Sequence, residues 1–536
     1  MGRFKTVVCC TALALLTALG ARAGVMNPIP GDPITIETGK LSGTLLDSGV
    51  KAYLGVPYAA PPVRELRWHA PMPAKSWKGV YNADTKLTNC YIPLRATTLN
   101  HYFGEIKSSE DCLYVNVWTP PGAKAGDKLP VVVWIHGGGF QEGSINFDVY
   151  GGEPLAKKGV IFMGISYRVN IFGNLAHPEL TAESSQKASG NYGLMDQIAG
   201  LKWIQRNIAA FGGDPGKVTV MGQSAGAQAV DLLQSSPQAR GLYANVIALS
   251  GGYHGVAAPR LENLAQTEAK GVSLQQAMKA KDVAQMRTIP ADQITNIAAA
   301  NKITFSGPTV EGYIVLGHPA DMYAAGKQSD LPLLLASVGN DNGSKTAVSD
   351  ARTLADYRKA AGDLYGADAE LFLKLFPARN DAEAAQQAQL TARISGYSLV
   401  IRDWAKAAVT TAKSPVWLVQ YNHAHPYPSG VVITDMDIKA AGAYHNSDLP
   451  FWYGTLDSLN LFRRTRDWTP YDYKLSNQMQ DVVVAFAKTG SPVTAEAKIP
   501  RYDPKREQRL VFGDAGLTVE SLNPRQVDFI ENHPRR

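Results

Sequence analysis

Gly222-Gln223-Ser224-Ala225-Gly226 constrains this chain more than any other stretch, because of what flanks it. Lys217-Val218-Thr219-Val220-Met221 before it is short, apolar and β-branched, and reads as a buried strand; Ala225 to Leu233 after it reads as a helix. A G-x-S-x-G pentapeptide between strand and helix is a nucleophile elbow. The turn is so tight that the residues two before and two after the serine must lack bulk, which glycine satisfies. The hydroxyl then sits at the C-terminal end of a strand with helix amides beneath it. Ser224 is therefore the candidate nucleophile.

The apolar runs around it predict the architecture. Val131 to Ile135, Val160 to Ile165, Val246 to Leu249, Leu331 to Leu335 and Val416 to Tyr421 read as central strands. Between them Gly193 to Ala209 carries Leu194, Ile198, Leu201, Ile204 and Ile208 at helical spacing. Strands alternating with helices predict an α/β fold, a mostly parallel sheet with helices on both faces. In such sheets reactive groups gather at the C-terminal strand ends. Ile34 to Tyr58 reads instead as short antiparallel strands, a small N-terminal sheet. The alanine-rich segments from about Gly255 to Asp330 and from about Lys345 to Ser414 read as helical insertions walling a cleft above the sheet.

A serine hydroxyl is a weak nucleophile at neutral pH and needs an anion trap, a base and an orienting acid. The trap is read at His136-Gly137-Gly138-Gly139, directly after a strand, where successive glycines let backbone N–H groups turn inward. The N–H of Ala225 completes it. Among ten histidines, His445 stands out in the late loop Gly442 to Pro450, after the last candidate strand; His423 and His425 are its rivals. His69, His101, His177, His318 and His533 read as surface or packing residues. The acid is expected between Ser224 and His445, in a loop following a strand. Val338-Gly339-Asn340-Asp341-Asn342-Gly343 offers Asp341, although such a cluster is also an ordinary turn. Asp321, Asp330 and Glu311 are the fallback carboxylates.

Residues 1–23 read as a secretory signal: Arg3 and Lys5, an apolar stretch from Val7 to Leu19, and Ala21-Arg22-Ala23 as a cleavage site. The apolar run falls short of the ~20 residues of a membrane span. The mature chain is thus read as residues 24–536, one domain, secreted or periplasmic, with no membrane span. Removing Arg3, Lys5 and Arg22 lowers the formal net charge of +6 by three, and no Lys/Arg stripe remains, which argues against nucleic-acid binding. Of the four cysteines, Cys90 and Cys112 survive processing, and two lone cysteines make no plausible metal site.

Several longer stretches resemble the type-B carboxylesterase and cholinesterase family of α/β-hydrolases. Phe211-Gly212-Gly213-Asp214-Pro215 running through Val218 to Gly226 is similar to its serine signature, and Ser109-Glu110-Asp111-Cys112-Leu113-Tyr114-Val115-Asn116-Val117-Trp118 to its second signature. Gly55-Val56-Pro57-Tyr58-Ala59, Gly190-Asn191-Tyr192-Gly193-Leu194 with Asp196-Gln197, and Tyr502-Asp503-Pro504 match too, so the likeness spans about Thr38 to Phe512. The resemblance implies a Ser–acid–His triad of Ser224, Asp341 and His445, and oxyanion donors at Gly138, Gly139 and Ala225. It also implies a Cys90–Cys112 disulfide, and Ser250 and Asp448 as a supporting polar network beside the histidine. The implied activity is hydrolysis of a small-molecule ester, with no metal or organic cofactor. Bulky or multi-ester natural products, or amides, are the alternative substrates. A catalytically dead binding module is the rival class. The chain departs from the family twice: Gln223 stands where glutamate usually precedes the serine, and Asn340-Asp341-Asn342 replaces an Asp-Glu-Gly run, with Asp341 at the glutamate position.

Overall fold

A computed structural model describes residues 27–93, 107–341, 346–433 and 436–533. The signal-like segment 1–23, His101 and Asn342-Gly343 lie outside these residues. At the centre is an eleven-stranded sheet. From one edge to the other its strands are Gly516–Ser521, Gln508–Gly513, Val416–Asn422, Leu333–Val338, Asn245–Leu249, Gly213–Gln223, Leu129–Ile135, Ile161–Ile165, Tyr114–Thr119, Lys51–Pro57 and Thr44–Leu45. The strands from Gln508–Gly513 to Ile161–Ile165 pair in parallel. Antiparallel strands close both edges.

The period-two alternation of strand side chains divides the apolar residues between two cores. Val131, Val133, Ile135, Val218, Val220, Val246, Ala248, Leu333 and Leu335 face one core, shared with Leu201, Ile204, Leu232 and Trp404 from helices Tyr192–Asn207, Ala225–Ser235 and Tyr397–Thr411. Val132, Trp134, Met221, Ile247, Leu249, Leu334 and Ala336 face the other, under Met479, Val482 and Phe486 of helix Pro470–Thr489. Runs apolar at every position, such as Val131 to Ile135, are what a strand buried on both faces requires.

The two insertions are helical as expected, and each contributes to a further apolar cluster. Leu274, Val283, Met286, Ile294 and Phe305 pack together in the first. Tyr357, Phe372, Phe376 and Ala388 pack with Phe529 of the C-terminal helix in the second. In the small N-terminal sheet Ile34–Ile36 and Gly39–Ser42 are antiparallel, and Val80–Asn82 adds in parallel. One boundary differs from the sequence reading: the hairpin Gln508–Gly513 and Gly516–Ser521 follows His445, so Val416–Asn422 is not the last strand. Outward-facing polar residues such as Gln508, Glu520 and Ser521 broke up that hydrophobic signal. The sulfurs of Cys90 and Cys112 lie at bonding distance, with Cα atoms 4.8 Å apart. No helix among the described residues is long and apolar enough to cross a membrane.

Candidate active site

The elbow follows from local sterics. A Cβ at Gly222 would come within 2.3 Å of Gly226 O, and one at Gly226 within 2.1 Å of Ile135 O, so both positions demand glycine. Ser224 between them is held at φ 55°, ψ −124°, a sparsely populated region for a residue with a side chain. Strain of this kind costs about 1–3 kcal/mol and persists only where the surroundings impose it. Here Ser224 N–H donates to Leu249 O (2.8 Å) and Gln228 N–H to Ser224 O (2.9 Å). Ser224 is half-buried while its chain neighbours are buried, so the serine alone of the elbow is partly exposed.

The glycine loop after strand Leu129–Ile135 lies against the elbow. A Cβ at Gly137 would sit 3.0 Å from Ser224 Cβ and 2.6 Å from Gln223 O. Gly138 (φ 109°) and Gly139 (φ 62°) turn the backbone through conformations that side chains disfavour. A Cβ at Gly138 would meet Glu142 O at 2.1 Å. His136 anchors the loop: its ring stacks on Tyr167 (4.1 Å), Nδ1 hydrogen-bonds Gly137 O (2.8 Å), and Tyr167 Oη–H donates to His136 O (2.6 Å). Burial pushes the His136 ring down to about 4, so it is neutral and structural.

Asp341, buried three residues past strand Leu333–Val338, accepts a hydrogen bond from His445 Nδ1 at 2.6 Å. Asn340 straps the two loops together, its backbone N–H donating to Ala443 O (2.7 Å) and its Nδ2 to Ala441 O (2.9 Å). With the Nδ1 hydrogen donated to Asp341, the Nε2 lone pair faces the elbow. Nε2 is met by Gln223 Nε2 at 3.2 Å, and no hydrogen bond joins it to Ser224 Oγ. Tyr397, the first residue of helix Tyr397–Thr411, stacks on the His445 ring at 5.6 Å. Its phenol is pushed up to about 12 by burial and by Asp341. Tyr397 was missed in the sequence, where its only mark is the preceding Gly396 (φ 59°).

The rival histidines hold the wall behind the site. His425 Nε2–H donates to Ser447 O (2.7 Å) and its Nδ1 accepts from the buried Arg466 Nε (2.9 Å). Burial and Arg466 press it down to about 3, so it is a neutral strut for the His445 loop. His423 bridges Asp472 (2.7 Å) and Asp514 (2.6 Å). Burial opposes its charge, but the two carboxylates win and raise it to about 9. A ring charged more readily when folded stabilises fully below its ordinary value of 6.5, and that stabilisation is lost as pH rises through about 9. Urea unfolding of the native protein should therefore show a stability loss between pH 6.5 and 9 that His423→Gln lacks. Parallel pH curves for the two proteins would contradict this.

Ser250 (φ 50°) and Asp448 are buried nearby, and neither hydrogen-bonds the His445 ring. Asp448 accepts from Trp452 Nε1 (2.9 Å). Burial raises its carboxyl to about 6 against that bond, with Asp341 adding to the rise. The fallback carboxylates are engaged elsewhere: Glu311 accepts from Asn191 Nδ2 and the Val315 amide, Asp330 from the Lys413 and Ser414 amides, and Asp321 lies in the first turn of helix Pro319–Ala324. Among the described residues no group of three or more His, Cys, Asp or Glu is placed to hold a metal.

Above the site opens a cavity of about 1150 Å³, reaching Gly139 and Phe140 on one side and Tyr397 on the other. Pro259 and Pro308 from the first insertion and Tyr365 from the second wall it.

Residues 31–530 match the family model described as the carboxylesterase family. The chain is 32% identical to the fumonisin B1 esterase of Sphingopyxis macrogoltabida, over 96% of this chain and 92% of that one. It is also 32% identical to the para-nitrobenzyl esterase of Bacillus subtilis (strain 168), over 91% of this chain and 96% of that one. A solved PNB esterase superposes with a TM-score of 0.71 at 29% identity, covering 93% of this chain and 99% of that one.

Proposed function

Since this chain belongs to the carboxylesterase family and is a carboxylic ester hydrolase on the α/β-hydrolase fold, we propose that it works as a serine hydrolase through an acyl-enzyme. Ser224 Oγ attacks the ester carbonyl carbon while His445 Nε2 takes the hydroxyl proton. The carbonyl electron pair moves onto oxygen, where the amides of Gly138, Gly139 and Ala225 hold it. The proton then passes to the leaving alkoxide as the C–O bond breaks. Water, activated by the same histidine, attacks the acyl-serine and releases the acid. Asp341 keeps the ring in the tautomer that leaves Nε2 free. The observation that carries this reading is the 2.6 Å bond from His445 Nδ1 to buried Asp341, beside the strained elbow of Ser224.

The cavity volume and the likeness to an esterase named for fumonisin B1 support a bulky ester as substrate. Charge narrows it further. Gln223 is neutral, and Glu262 in the cavity wall is neutralised by Lys270 at 2.5 and 2.7 Å. A quaternary ammonium ester should thus be turned over no better than its isosteric neutral analogue; a clear preference for the cation would contradict this. The enzyme acts as one domain, residues 24–536, exported after cleavage behind Ala23.

The test is covalent labelling of the purified protein with a fluorophosphonate, since only an activated hydroxyl attacks phosphorus quickly. One label on Ser224, absent from Ser224→Ala, is expected. A label on Ser250, with Ser224→Ala still active, would overturn the reading.

A further inference from the structure

Gln223 is buried as the last residue of strand Gly213–Gln223, its backbone in register with Leu249. Its amide lies between the glycine loop and the base. Oε1 packs against the glycine loop, where a Cβ at Gly137 would come within 2.7 Å of it, and Nε2 points at His445 Nε2, 3.2 Å away. The other groups facing the ring are Asp341 on Nδ1, Tyr397 stacked on its face and the buried Asp448, and none of these contacts Nε2. The one nitrogen that must exchange the catalytic proton is thus capped by an uncharged donor. In the family that the chain resembles, glutamate usually precedes the serine.

We propose that Gln223 is a positioning residue for the base, whose amide N–H caps the Nε2 lone pair. The inference rests on the assignment of His445 as base. An amide N–H complements a lone pair and opposes a second N–H, so the pairing holds while the ring is neutral and fails when Nε2 is protonated from solvent. During turnover the proton comes from Ser224 Oγ as the Oγ–C bond forms and leaves to the alkoxide as the C–O bond breaks. Gln223 neither gains nor loses a proton. It yields Nε2 to the serine hydroxyl. A carboxylate at the same place would do the reverse, attracting a proton to the resting ring and disarming the base at mildly acidic pH.

The experiment is the pH dependence of kcat/KM on an uncharged nitrophenyl ester for the native enzyme, Gln223→Glu and Gln223→Met. The acid limb should move to higher pH by about one unit or more in Gln223→Glu, as an opposite charge at this distance does. Methionine, which removes the donor without adding charge, should move it upward by less. A residue that merely packs would leave the limb in place, so acid limbs superimposable on the native one in both variants would overturn the proposal, as would a downward shift. If Gln223→Glu does not fold, the nearly isosteric Gln223→Met decides by the same criterion. Ser224→Ala serves as the control on the premise. Activity surviving in it would remove the assigned mechanism, whereas a serine-dependent enzyme with unmoved limbs would remove only the role of Gln223.

Discussion

Ser224→Ala and His445→Ala should each lower kcat by about six orders of magnitude, with the double variant no worse than either single one. The expectation follows from shared work: the hydroxyl becomes nucleophilic only as its proton leaves, and the imidazole has nothing to accept without it. Removing one partner disables the other, so the losses do not add. Six orders correspond to about 8 kcal/mol of transition-state stabilisation. A remnant of roughly 10³–10⁴ over the uncatalysed rate should survive, because both substitutions leave the proposed oxyanion donors Gly138, Gly139 and Ala225 in place. Single-turnover kinetics on a nitrophenyl ester would measure these rates. Losses that multiply in the double variant would show that the two residues act separately. Ser224→Ala should keep its stability, whereas His445→Ala leaves the buried Asp341 carboxyl without its partner and should lose some. Alanine at 224 removes only a half-exposed hydroxyl, and the His445 loop is strapped by Asn340 and by the His425–Ser447 bond independently of the ring.

The elbow was legible because its constraints are local: two glycines four residues apart, a β-branched run before and a helix after. The parallel sheet was legible for a similar reason, since strands such as Val131 to Ile135 bury both faces and cannot mix polar with apolar residues. What could not be read came from residues far apart in sequence meeting in space. Nothing in Asn422-His423-Ala424-His425 tells that one ring is a charged bridge between Asp472 and Asp514 and the next a neutral strut under Arg466. Tyr397 is one tyrosine among 23 until helix Tyr397–Thr411 lays it on His445. The contact between Gln223 and His445 was equally hidden. The sequence marked Gln223 as a missing charge, and only the packing of the elbow against the His445 loop makes it a donor.

Asp341 is where sequence and geometry must be weighed together, and its variants make the sharper test. Aspartate is one methylene shorter than glutamate, so an aspartate at this position reaches His445 only if its backbone comes closer. The straps from Asn340 to Ala441 and Ala443 hold the two loops together, and the Asp341 side chain is fully buried at 2.6 Å from Nδ1. Asp341→Asn keeps the shape but presents an amide that can donate to Nδ1, which then keeps its lone pair and leaves the hydrogen on Nε2. The base is then held in the wrong tautomer. Turnover should fall by about four orders of magnitude, as in a comparable triad, equivalent to about 5 kcal/mol. The melting temperature should hardly change. Asp341→Glu should recover only part of the rate, because the extra methylene must fit between loops already strapped together, an overpacking that costs about 1–3 kcal/mol. Near-normal turnover in Asp341→Asn would place the orienting acid elsewhere. Asp448 would be the first carboxylate to examine, since it is buried and coupled electrostatically to both Asp341 and His445, whereas Glu311 and Asp330 are occupied by amides of their own.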